Sequence, residues 1–241
     1  MSETRPDHSN LKTGIPNFKS QIRFVLWAAI ALGAMGACWW AAGGSLGLFI
    51  GGLFVATFVV PAAALERRFL LAIEGIASVV VPVALFWLIA VAANSDTIGQ
   101  WAEASIVLLA YSFALAGIAL VLGRLKIPPL FATSIAVTIA VAWLTWPIWL
   151  PPNAGPEMNT AIQHLVASNP PLTINGILTA EPAWTEHSVA YHLTNLNQDI
   201  AIELPSSIAP CVALHAAIAT ALWLAALAKT PKTAANTSLA A

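Results

Sequence analysis

Residues 69–93 read FLLAIEGIASVVVPVALFWLIAVAA, a run of twenty-five that holds one charge, Glu74, and one proline, Pro82. An α-helix rises about 1.5 Å per residue, so about 20 such residues cover the roughly 30 Å of hydrocarbon in a bilayer. A run this long and this apolar predicts a transmembrane helix. Its flanks differ in kind, with Glu66-Arg67-Arg68 before it and Asn94-Ser95-Asp96 after it. Lys and Arg gather on the cytoplasmic side of membrane spans, so the chain is expected to enter this span from inside.

Working outward, the same reading gives five more spans, at 24–42, 46–65, 104–123, 128–150 and 208–228. The cations are Arg5, Lys12, Lys19, Arg23, Arg67, Arg68, Arg124, Lys126, Lys229 and Lys232, and six spans put all ten on one side. One span more or fewer would break that agreement. Of the acidic residues, Asp96, Glu103, Glu157, Glu181, Glu186, Asp199 and Glu203 fall on the other side, and Glu74 alone lies inside a span. The expected fold is an all-α integral membrane protein with six transmembrane helices, both termini cytoplasmic, and a small mixed extracytoplasmic segment between helices five and six. The chain then divides into a cytoplasmic tail at 1–21, helices one to five across 22–150, the extracytoplasmic segment at 151–207, helix six at 208–228, and a second tail at 229–241.

Composition agrees. Of 241 residues 59% are hydrophobic and 9% charged, against about 45–50% and about 25% in an average soluble domain. A net charge of −1 leaves no basic surplus for phosphate neutralisation, which excludes a nucleic-acid binder. No phosphate-binding loop or dinucleotide fingerprint occurs, and no cofactor is expected. The lipid bilayer is the first partner. A bacterial inner membrane is the expected location.

Small residues bring membrane helices together. Gly43, Gly47 and Gly51 recur at four-residue spacing, with Ala29, Gly33 and Ala37 as the matching face on the first helix, which predicts a tight hairpin. Trp39, Trp40, Trp101, Trp143, Trp146 and Trp149 are expected to form an aromatic belt at the outer interface. Pro82 is expected to kink its helix.

In the outer segment, Pro156 opens a helix with Met158, Ile162, Leu165 and Val166 as its stripe, and Asn169-Pro170-Pro171 ends it. A second helix is expected from about Glu186, carrying His187, Tyr191 and Asn195 on one face as a candidate partner surface. Alternation over 200–204 suggests a short extended piece.

The candidate chemistry is sparse. His164, His187, His192 and Glu186 are donor types for a metal, but His187 and His192 stand about 140° apart on one helix and cannot share an ion there. No metal site is expected. Glu74, Ser112 and His215 form the intramembrane polar set, and such residues are costly and often functional. Glu74 reaches toward Arg67, Arg68 or interfacial water, or serves gating or proton coupling. Ser112 and His215 lie at nearly matched depth. Intramembrane serine hydrolases of the rhomboid type pair such residues, but the Gly-x-Ser-Gly motif is missing around Ser112. Cys38 and Cys211 lie at similar depth on the expected oxidising side, which permits a disulfide between the first and last helices. Met35-Gly36-Ala37-Cys38 also resembles a lipoprotein box, and the same run reads equally as an uncleaved first span.

Two functions follow as expectations. The first is a structural or accessory subunit, not an enzyme, that presents the outer segment to a partner protein. The second comes from layout: six spans, cytoplasmic ends and an insertion between spans five and six resemble the exporter permeases of the second ABC-transporter type. That resemblance is one of topology across the whole chain, without a sequence motif, and it implies an ATPase partner.

Overall fold

The structure, a computed structural model, describes residues 18–42, 44–65, 69–92, 95–149, 159–178 and 203–228. Among these residues every regular element is helical. In chain order they are α1 (Phe18–Ala42), α2 (Gly44–Phe54), a π-helical stretch (Val55–Val59), α3 (Val60–Ala63), α4 (Phe69–Val91), α5 (Ser95–Arg124), α6 (Pro129–Leu144), a 3-10 turn (Trp146–Trp149), α7 (Asn159–Ser168), α8 (Pro170–Ile177) and α9 (Ala209–Leu227).

Five helical stretches are long and apolar enough to cross a membrane: Gln21–Ala42, Leu46–Ala63, Leu70–Ala90, Thr97–Arg124 and Ala209–Leu227. This is the architecture of a multi-pass helical membrane protein. The expected span at 128–150 is realised differently, as the 16-residue apolar helix α6 followed by the 3-10 turn. Pro147 is the reason. It lacks an N–H and disfavours helical geometry at Trp146 before it, so the α-helix stops at Leu144.

The helices pack both on sequence neighbours and on distant elements. The α1 helix lies on α2 and α4, α4 lies on α5, and the most extensive contact joins α5 to α9. The hairpin glycines behave as their spacing predicts. A Cβ on Gly47 would stand 2.7 Å from Trp39 Cα, and one on Gly51 would stand 2.8 Å from Met35 Sδ. Gly44 turns the chain between the two helices at φ +46°, and Gly43 lies outside the described residues. Gly33 is a correction, because nothing stands within 4 Å of its missing side chain. The face of α1 turned inward carries Ala31 and Met35, both fully buried, so the Ala29-Gly33-Ala37 face is left exposed.

The π-helical stretch has a local cause. Pro61 has no N–H to give to Thr57 O and its ring crowds that carbonyl. The chain widens by one residue, and Val60 N–H bonds to Val55 O instead. The α4 helix, by contrast, runs unbroken past Pro82.

The tryptophans divide. Trp40 is 89% exposed and Trp39 47%, as a belt requires, but Trp101 is buried. Its ring meets that of Trp87 edge-on at 5.1 Å. Trp87 in turn donates its indole N–H to Leu48 O at 2.9 Å. Trp101 therefore belongs to the core of the bundle and not to its belt.

The bundle has two unlike ends. One carries α7 and α8, set against α9 and α5. The other carries Arg23, Glu74, Arg124 and Lys126, which line two cavities there.

Candidate functional site

The α7–α8 end holds the densest set of buried polar groups, and each has a local origin. In Asn169-Pro170-Pro171 the asparagine does more than end α7. Its Oδ1 accepts from Leu172 N at 3.3 Å, which makes it the N-cap of α8, and Pro170 takes the first helical position where no N–H is needed. Its Nδ2 donates to Trp143 O at 3.0 Å. That carbonyl sits in the last turn of α6, where helical donors run out, and Pro147 four residues on has no N–H to offer. One fully buried side chain thus starts α8 and caps α6.

Three further bonds close the junction. Thr173 Oγ1 donates to Ala167 O at 3.2 Å. Ser168 Oγ donates back to His164 O at 2.9 Å. The Cys211 thiol, on α9, donates to Ser168 O at 3.3 Å. Apolar packing completes it, with Ile162, Val166, Leu172 and Ile174 at 1% exposure or less. The approach of residues 203–205 needs Gly176, since a Cβ there would lie against the Pro205 backbone oxygen.

Beneath this junction His215 is buried among aromatic rings. Its Nδ1–H donates to Cys211 O at 2.8 Å, which leaves Nε2 as the acceptor nitrogen. Tyr111 meets the imidazole edge-on at 5.5 Å, and Trp143 lies 6.4 Å away. The Tyr111 hydroxyl stands 3.4 Å from Thr57 Oγ1, in the π-helical stretch. Thr57, Tyr111, His215, Cys211 and Ser168 thus link three spanning segments to α7.

The sequence-derived residues are placed as follows. His215 is central, but its neighbour on α5 is Tyr111. Ser112 is fully buried, and its hydroxyl has no hydrogen-bond partner among the described residues, so it is not hydrogen-bonded to His215. Matched depth does not fix direction around the axis, and one residue turns a helix by about 100°. Of the two states open to Cys38 and Cys211, a disulfide or two free thiols, the structure has the second. Cys38 packs on Gly51 of α2 and Cys211 on α7, while α1 rests on α2 and α4 and α9 on α5 and α7. Glu74 lines a small cavity together with Arg23 and Ser78. Arg67, Arg68, His187, Tyr191, Asn195 and the helix expected from Glu186 all lie outside the described residues. The extended piece expected over 200–204 shows no strand at its described residues, and what is described of 151–207 is helix and irregular chain. Among the described residues no three His, Cys, Asp or Glu side chains gather as metal ligands.

Chemically this arrangement is a latch. The Cys211 thiol hydrogen goes to a carbonyl, and the His215 nitrogen nearest the sulfur, at 3.6 Å, is already the donor to Cys211 O. That nitrogen has no free lone pair with which to take the thiol proton. Sequence reasoning missed Asn169, Thr173 and Tyr111. The signal available was Asn before Pro-Pro, which reads as N-cap and first helical turn as readily as it reads as a stop. Compared with known proteins, the chain matches no family model, no curated protein and no solved structure.

Proposed function

We propose that this protein is a membrane-embedded accessory subunit whose bundle holds α7 and α8 outside the cytoplasmic membrane as a docking platform for a partner protein. One observation carries the reading: Asn169 and Cys211, both buried side chains, tie the platform to α6 and α9 by hydrogen bonds. A segment fixed in this way presents a preformed surface, and preformed surfaces spend less ordering entropy on binding. The surface presented is the face of α7 that carries Thr160, Ala161, His164 and Leu165, all exposed. The orientation rests on the cations at the other end, Arg23, Arg124 and Lys126 among them.

Two experiments test this. In a cysteine-free background, a single cysteine at position 164 is labelled in intact cells by an impermeant maleimide. Labelling only after permeabilisation would reverse the orientation. Photoreactive residues at 164 or 165 then crosslink one discrete protein in native membranes, and Asn169→Ala in the same chain abolishes that product. A nucleotide-binding protein captured from position 125, with nothing captured at 164 or 165, would overturn the accessory reading in favour of the permease.

A further inference from the structure

At the end opposite the latch, α5, α6 and α9 leave a cavity of about 550 Å³ between them. That volume lies within the range of small-molecule sites, roughly 300–1,000 Å³. Its walls are Ala119 and Leu120 of α5 with Ala226 and Leu227 of α9, and its mouth carries Arg124 and Lys126. Both cations are exposed, and no Asp or Glu is among the described residues that line the cavity.

Lys126 is held there at some cost. The end of α5 closes with Ile127 N bonded to Leu122 O at 3.3 Å and Lys126 N bonded to Gly123 O at 3.1 Å. This is the Schellman pattern, whose C′ residue takes a left-handed conformation that favours glycine. Here that residue is Lys126, at φ +61°, the only non-glycine with positive φ among the described residues. A strained residue retained where glycine fits better points to a use for its side chain.

We propose that this cavity binds an anionic phospholipid, with Arg124 and Lys126 on the headgroup phosphate and an acyl chain along Leu120, Ala226 and Leu227. Charge complementarity selects the occupant, and the apolar walls beside a membrane-spanning helix favour a lipid over a free anion. Basic pockets between spanning helices are known to hold acidic headgroups. The inference is independent of what docks on α7.

The test is native mass spectrometry of the full chain in mild detergent, titrated with phosphatidylglycerol or phosphatidylcholine. Two surface cations, each worth roughly a factor of five in affinity, predict about 25-fold weaker phosphatidylglycerol binding in the Arg124→Gln, Lys126→Gly pair. Phosphatidylcholine, whose choline cation offsets its phosphate, binds more weakly to the native chain and loses less on substitution, and millimolar inorganic phosphate does not displace the lipid. Glycine suits the backbone at 126, so Lys126→Gly alone, with about five-fold weaker binding expected, keeps the test open if the pair fails to fold. Unchanged phosphatidylglycerol affinity would overturn the proposal. So would an equal loss from Arg23→Gln, which would reduce the effect to bulk charge, or full displacement by phosphate, which would make this a free-anion site.

Discussion

Replacing Asn169 by alanine is the sharpest probe of the latch. The side chain is fully buried and makes two bonds, to Leu172 N and Trp143 O. Loss of an N-cap costs about 1 kcal/mol, and a buried carbonyl left without a donor costs about 1–3 kcal/mol. The sum is about 2–4 kcal/mol, placed on α7, α8 and the end of α6. Both bonds of Asn169 end on α6 and α8, so the cost falls on local opening more than on global melting. In hydrogen exchange, 2–4 kcal/mol corresponds to protection falling about 30- to 900-fold at the amides of Leu172 to Leu178. Amides of 76–87 in α4 are expected to keep theirs. Asn169→Ser separates the two roles, because its hydroxyl retains an acceptor for Leu172 N and is too short to reach Trp143 O. An intermediate loss is therefore expected. Unchanged exchange in α8, or a loss shared equally with α4, would refute the reasoning.

Three further outcomes are expected. Gly52→Ala sets a Cβ against Trp87 Cζ2, and that ring is held by its bond to Leu48 O, so detergent melting should show a loss of about 1–3 kcal/mol. The loss should shrink when Trp87→Phe is added, and an additive pair would count against the contact. Ser112→Ala removes a buried hydroxyl without a partner and should be neutral or up to about 1 kcal/mol stabilising. A clear loss of stability would show that the hydroxyl does work that the fold does not reveal. Lys126→Gly should raise stability by about 1 kcal/mol by relieving the left-handed backbone. A lower melting temperature would remove the strain argument.

Hydropathy alone locates all five long helices, because spanning a bilayer is a property of length and composition. The glycine spacing also locates the α1–α2 hairpin at Gly47 and Gly51. Rotation about the axis is harder to read. Gly33 has the right spacing on a face that meets nothing, and Ser112 has the right depth while its neighbour Tyr111 meets His215. Proline effects were half legible. Pro82 lies within α4, which continues as helix on both sides of it, whereas Pro61 opens the π-helical stretch and Pro147 ends α6 early. The double role of Asn169 was not legible, since it depends on a carbonyl 26 residues away that Pro147 leaves without a donor.

The join between α5 and α9 carries a consequence for the order in which the molecule is made. Trp223 donates to Phe113 O across 110 positions of sequence, and Cys211 reaches back 43 positions to Ser168. Synthesis runs from the N-terminus, so α1 to α6 can pair as they emerge while α7 and α8 still lack their clasp. The Asn169 bond to α6 can form early, but the clasp on α9 closes only when that helix has been made. A nascent chain stopped before α9 would carry a platform without its Cys211 bond and more open to protease, so α9 acts as a check on the segments built before it.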